Sequence, residues 1–139
     1  MEKDTSKIVE ELGLCPDFKS FYRENREYMV TDSLSQLLER LVEEKGLKKA
    51  AVIRKSELSE VYGYQIFSGV RVPELKKLLC LGVAMELNIE EIQQLLKCAG
   101  YPQLYVKRPF DSVILYGLCK KLSVPQINEL LYEYGLETL

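Results

Sequence analysis

The sequence predicts an all-α protein, and three observations carry that reading. Apolar residues recur at helical spacing: Leu34, Leu37, Leu38, Leu41 and Val42 fall at i, i+3, i+4, i+7 and i+8 and would line one face of a helix. Residues that start and stop helices punctuate the chain. Asp17, Ser59 and Asn88 stand where a side chain can accept from a first-turn N–H, Gly69 stands where a helix can end in left-handed backbone, and Gly46 and Gly100 close the helices before them. A segment also repeats, since LNIEEIQQLLKCAG at 87–100 returns as LSVPQINELLYEYG at 122–135, offset by 35 residues.

Taken in order, residues 1–30 read as two short helices joined at Gly13-Leu14-Cys15-Pro16. The first carries Ile8, Val9 and Leu12. The second, capped by Asp17, carries Phe18, Phe21, Tyr22, Tyr28 and Met29, an aromatic stripe expected to pack on the rest of the chain or on a second copy. Thr31-Asp32-Ser33 opens the next helix, which Gly46 closes. Leu47 then begins a short helix through Ala50, Ala51, Val52 and Ile53, followed by a polar break at Ser56-Glu57-Leu58-Ser59. Ser59 caps a helix of about 60–68 that ends at Gly69. Gly63 within it costs roughly 1 kcal/mol of helix propensity relative to Ala, so Tyr62, Tyr64, Ile66 and Phe67 are expected to hold that helix by packing.

After Pro73 a helix carries Leu75, Leu78, Leu79, Leu81, Val83 and Met85, and Asn88 caps the helix of 89–98. Residues 101–108 form a connector, and Asp111 is expected to cap the final pair. That pair, 109–121 and 124–134, copies 74–86 and 89–98, with Pro125 tolerated in a first turn. The expected organisation is an N-terminal helical extension (1–30), a helix-turn-helix domain (31–100) and a C-terminal helical hairpin packed on it (101–139).

Composition narrows the function classes. The chain has 139 residues, 47% hydrophobic and 29% charged, within the range of soluble globular proteins. No apolar run approaches the roughly 20 residues of a membrane span, and the acidic N-terminal stretch lacks the apolar core of a signal peptide. A cytoplasmic protein with no membrane partner is expected. Cys15, Cys80, Cys98 and Cys119 are widely spaced, and there is no histidine. Buried, reduced thiols acting as small apolar residues fit this pattern better than a metal site, and no cofactor is expected. With no histidine for acid–base chemistry, no Gly-rich phosphate loop and no Ser or Cys beside an evident base, no catalytic residue is assigned and the chain is not expected to be an enzyme.

Two short helices joined by a tight polar turn make a helix-turn-helix. The spacing of Gly46-Leu47-Lys48-Lys49, Leu58-Ser59 and Gly69-Val70-Arg71-Val72-Pro73 resembles that of the lambda-repressor-like (XRE) helix-turn-helix family of bacterial and phage transcriptional regulators. The resemblance covers about residues 33–100, with LSQLLERLVEEKG as the family's first helix and LKKLLCLGVAMELNIEEIQQLL as its last two. It implies a five-helix core that binds double-stranded DNA sequence-specifically as a homodimer, with the helix of about 59–68 in the major groove. By position in the family pattern, Glu60, Val61, Tyr64 and Gln65 would face base edges. Gln65 suits an adenine edge, Val61 a thymine methyl and Glu60 a cytosine amino group. Lys48, Lys49, Ser59, Ser68 and Arg71 would hold phosphates.

A second class stays open: a protein-interaction module that keeps the helix-turn-helix shape without binding DNA. Residues 59–68 contain Glu60 and no Lys or Arg, and the Tyr62-Gly63-Tyr64 run suits a protein interface, as do the N-terminal aromatic helices. Charge placement separates the two readings. Lys48, Lys49, Arg54, Lys55, Arg71, Lys76 and Lys77 against Glu57, Glu60 and Glu74 make that window +4 in a chain whose net charge is −2. Those cations would share one face with Gln65 for DNA, and would be dispersed for a protein partner.

Overall fold

A computed structural model of the chain describes residues 4–29 and 33–139. Of the helix entry expected at Thr31-Asp32-Ser33, the first two residues lie outside that range. Among the described residues there are nine α-helices, one 3₁₀ turn and no strand, so the protein is all-α. The chain divides into two units, residues 1–31 and 32–139, each taken here by itself.

The first unit holds α1 (Thr5–Leu14), α2 (Phe18–Asn25) and a 3₁₀ turn (Arg26–Tyr28). Asp17 caps α2 as expected, accepting from the Ser20 N–H at 2.7 Å, and that hydrogen bond holds its carboxyl below the usual range. Phe21 and Asn25 are the buried residues of α2. The Asn25 amide donates to the Phe21 carbonyl and to Glu11 of α1, both at 3.1 Å, which ties the two helices together. The aromatic stripe is only partly used: Phe18 packs its ring 5.9 Å from Phe21 and 6.0 Å from Tyr22 yet remains 66% exposed.

The second unit holds α3 (Leu34–Glu44), α4 (Lys49–Ser56), α5 (Glu60–Ser68), α6 (Leu75–Ala84), α7 (Ile89–Cys98), α8 (Pro109–Cys119) and α9 (Val124–Glu133). One apolar core runs through all seven, from Leu38 through Ile66, Leu79 and Leu95 to Ile114 and Ile127. Its middle is α6, buried at every residue from Leu78 to Ala84. Helix α4 packs on α6 and α3 on α7; α9 packs on α6 and α8 on α7.

Two boundaries differ from the sequence reading. Helix α4 starts at Lys49 rather than Leu47 and continues through Ser56, which is buried instead of opening a polar break. Its hydroxyl donates to the Ile53 carbonyl at 2.6 Å and accepts from the Leu58 N–H at 3.3 Å, so its polar group is satisfied inside the turn. Asp111 does not cap α8. The helix begins earlier, at Pro109, and Asp111 accepts from the Tyr105 N–H at 2.8 Å, closing the connector instead.

The 35-residue repeat extends to the hydrogen bonds. Asn88 with Glu91 and Ser123 with Gln126 form capping boxes at α7 and α9. The Gln93 amide holds the backbone of Leu104 at both N–H and carbonyl, and Asn128 accepts from the N–H of Leu139. The corners within the pairs also match: Leu87 N–H donates to the Gly82 carbonyl at 3.1 Å, and Leu122 N–H to that of Gly117 at 2.9 Å. The α3–α4 corner has the same bond, from Leu47 to Val42 at 2.9 Å, so a third helix pair shares this turn. The left-handed residue is Gly46 in that third corner, but Glu86 and Lys121 in the repeats, and no glycine signals those two helix ends in the sequence.

Gly63 is a contact rather than a weak point. A Cβ there would lie 2.6 Å from Ile53 Cγ2, so the missing side chain is what lets α5 seat on α4. Ile66 and Phe67 then hold the helix from inside, while Tyr64, expected to share that work, is 40% exposed. Gly117 plays the same part between α8 and α9, where a Cβ would meet Ile127 Cδ1 at 2.5 Å and Cγ1 at 2.6 Å. Gly63→Ala and Gly117→Ala are each expected to destabilise the protein by about 1–3 kcal/mol through overpacking, despite the propensity gain of alanine. Gly82→Ala should cost less, because only the terminal methyl of Ile92 stands close. Urea unfolding of the three variants checks this order.

Candidate functional site

Helix α5 is framed at both ends and anchored on one side. The Ser59 hydroxyl accepts from the Tyr62 N–H at 3.2 Å to start it. Gly69, at φ 83°, ends it, and the N–H groups of Val70 and Arg71 both donate to the Gln65 carbonyl at 3.0 and 3.2 Å. With Gly63, Ile66 and Phe67 facing inward, the helical period turns Glu60, Val61, Tyr64, Gln65 and Ser68 outward. Those five residues and Lys49 line one shallow, open depression. Six of the nine sequence-predicted contact residues therefore meet in one place: all four base-edge candidates, with Lys49 and Ser68. Lys48 and Ser59 are exposed at the starts of α4 and α5, and Arg71 is exposed just beyond the end of α5.

The available chemistry differs from residue to residue. The Gln65 amide and the Glu60 carboxylate have no side-chain hydrogen bond or ion pair among the described residues, so both face outward uncommitted. Lys49 is committed: its ammonium pairs with Glu39 and lies 5.4 Å from the centroid of the Phe67 ring. The Arg71 guanidinium sits 5.3 Å from the centroid of Tyr62. The Ser68 hydroxyl donates to the Gln65 carbonyl at 3.1 Å, and that of Ser59 is taken up by capping. Val61, Val70 and Val72 are 69%, 78% and 77% exposed, which makes the surroundings of α5 apolar as well as amide-bearing.

Sequence reading counted Arg54 in the basic window but did not place it among the phosphate contacts. A second depression, lined by Ala50, Ile53, Arg54, Glu57, Leu58, Glu60 and Tyr64, shares Glu60 and Tyr64 with the first. Arg54 thus adds a cation to the outer side of the α4–α5 pair. The signal was present but unused, because the phosphate candidates were taken from the family pattern and not from the period of this helix. Continued to Ser56, the helical period places Arg54 four residues after Ala50, on the same side.

The seven cations of the basic window are divided. Lys49 and Arg54 line the α4–α5 surface; Lys48 and Arg71 line neither depression, Lys48 being exposed at the start of α4 and Arg71 lying over the Tyr62 ring beyond the end of α5. Lys55 lines a separate depression with Lys121, Ser123 and Gln126, which Arg54 also reaches. Lys76 donates to Glu137 at 2.9 Å, holding that carboxyl below its ordinary range, and lies 5.9 Å from the Phe110 centroid. Lys77 is exposed on α6.

No group of three or more His, Cys, Asp or Glu side chains is placed to hold a metal ion among the described residues, and no described helix is long and apolar enough to cross a membrane. Comparison with family models, curated proteins and solved structures returns no match to this chain. The cysteines behave unequally. Cys80 is buried, and desolvation pushes its thiol up to about 11. Cys15 and Cys98 are partly buried, whereas Cys119, expected inside, is exposed on the outer side of α8. At about pH 8 a thiol titrating near 11 is almost wholly protonated, so Cys80 should resist a disulfide reagent until the protein unfolds. Cys119 should react promptly; mass spectrometry of the labelled peptides, native against denatured, distinguishes them.

Proposed function

We propose that this is a lambda-repressor-like helix-turn-helix protein that binds double-stranded DNA through the α4–α5 surface, with α5 as the recognition helix in the major groove. The observation that carries the reading is the convergence of Glu60, Val61, Tyr64 and Gln65 on one open surface of a helix whose other side is fastened into the core. Their polar groups are directed at no neighbour, as a helix that reads base edges requires. Arg54 lines the adjoining depression, and with the exposed Lys48 and Arg71 it would hold phosphates, while Ser59, Ser68 and Lys49 contribute only by exchanging the bonds they now make. The family pattern also implies a homodimer, because one short helix reaches few base pairs.

One observation favours a protein partner instead. Helix α5 has no cation, its near lysine is paired with Glu39, and Val61, Tyr64, Val70 and Val72 give the surface an apolar character. A complementary protein would bury those groups without needing phosphate contacts.

Fluorescence anisotropy against selected and random duplexes at several salt concentrations separates the two. DNA binding predicts that Gln65→Ala costs about 1–3 kcal/mol on a selected site and leaves random-sequence affinity nearly unchanged. Arg54→Gln or Arg71→Gln should weaken binding to all sequences alike and lower the log–log salt slope by about 1 each. Glu60→Gln, which removes a negative charge near the backbone, should raise random-sequence affinity. No binding at low salt, even to selected duplexes, would assign the surface to a protein.

A further inference from the structure

The helix pairs of the second unit stack by a reciprocal rule. Between α3–α4 and α6–α7 the first helix of each pair packs on the second helix of the other, and the same holds between α6–α7 and α8–α9. Such an exchange is the signature of a two-fold relation, in which one face meets its own kind. The α6–α7 pair therefore uses two faces, one toward α8–α9 and one toward α3–α4.

The 35-residue offset shows which residues of α8–α9 occupy the second of those faces. Leu81 is fully buried, but its counterpart Tyr116 is 52% exposed; Met85 is 1% exposed, but Lys120 is on the surface. Ala99 is half-buried where Tyr134 is 71% exposed, and the buried Leu78 and Leu95 correspond to the half-buried Val113 and Leu130. A stack that simply ends calls for a polar outer face. This one presents Tyr116, Tyr134, Val113, Leu130 and Cys119 around Lys120 and Gln126, a composition closer to an interface core than to a polar cap.

We propose that this outer face of α8 and α9 is a self-association surface on which a second copy of the chain docks about a two-fold axis, α8 of one copy against α9 of the other. The occupant follows from the packing rule: the relation that joins successive pairs within the chain closes into a dimer when applied between two identical pairs. It also names a polar contact. Within the chain, Lys45 at the end of α3 meets the capping-box Glu91 of α7 at 3.0 Å. The residues in those structural positions on the outer pair are Lys120, at the end of α8, and Gln126, in the capping box of α9. In the dimer Lys120 of each copy donates to the Gln126 side-chain oxygen of the other. Two helices of ten and eleven residues give an interface at the low end of the roughly 800 Å² per partner that specific complexes bury, so a micromolar dimer is expected. The association does not depend on what α5 binds.

Sedimentation equilibrium of the full chain tests this. The expected result is a monomer–dimer equilibrium that Tyr116→Ala and Lys120→Glu each weaken by about tenfold, the first by removing an aromatic ring from the interface and the second by placing a negative charge there. Gln126→Glu should tighten it by about two- to fivefold at low salt, because it recreates the internal Lys45–Glu91 ion pair, and that gain should fade as salt is added. Lys120 and Gln126 are exposed, so thermal melts should show these variants folded. A chain that stays monomeric at high micromolar concentration overturns the proposal. So does a dimer indifferent to Lys120→Glu and Gln126→Glu, which would move self-association to another face, such as the aromatic residues of α2.

Discussion

From Leu78 to Ala84 every residue of α6 is buried, and a helix without a solvent face must be covered on all sides. That requirement orders the second unit. Helix α4 covers one side, α7 returns along another, and α9 comes from beyond the connector to close a third. Each fully buried Leu contributes about 1.5–3 kcal/mol relative to exposure, whereas exposed ion pairs such as Lys76 with Glu137 contribute about 0–1 kcal/mol each. The apolar sheath of α6 outweighs the charged surface as the source of the fold, and the C-terminal pair takes part in it through Ile114, Leu118, Ile127 and Leu131.

Close covering needs close approach, and glycine supplies it where helices cross. Gly63 admits Ile53 between α5 and α4, Gly82 admits Ile92 between α6 and α7, and Gly117 admits Ile127 between α8 and α9. In the repeats, glycine precedes its isoleucine by ten residues, on the outgoing helix; in the α4–α5 pair the order is reversed, and α4 carries the isoleucine. The same device therefore serves two ends. It tightens the stacked pairs that make the body, and it seats α5 deeply enough that its inner residues are fixed while Glu60, Val61, Tyr64, Gln65 and Ser68 are turned outward.

The exposed side of α5 combines features that serve different kinds of recognition. An unbonded glutamine amide and nearby cations suit nucleic acid, and exposed valines and a tyrosine suit protein. The Glu39–Lys49 pair bears on this balance, because it occupies the one lysine that lines the same depression as Gln65. A phosphate at that position competes with a carboxylate already in place, so the net gain from the contact is smaller than for a free lysine. Arg54 has no such competitor among the described residues.

Helical class, the stripe of α3 and the capping of α2, α5 and α7 were legible in the sequence, because each depends on residues within one or two turns of each other, and the 35-residue repeat was legible by direct comparison of the two segments. The same 35-residue offset pairs Leu104 with Leu139, and in each copy an amide eleven residues earlier holds the backbone there. The grouping of Glu60, Val61, Tyr64 and Gln65 came from their positions in the family pattern, and the helical period of α5 accounts for the face they share. The rest required the tertiary structure. Ser56 looked like part of a polar break because its complete burial comes from packing that short-range pattern does not carry, although its hydroxyl partners, Ile53 and Leu58, are local. Gly63 looked like a cost because the isoleucine it admits belongs to another helix. Cys119 and Tyr116 occupy positions where their repeat counterparts are buried, and local pattern cannot tell which copy has a neighbour on that side. The pairing of Lys49 with Glu39 was likewise out of reach. Short-range hydrogen bonding and periodicity write themselves into sequence; which helix lies against which, and which charge is already taken, depends on distances that only the folded chain brings below a few ångströms.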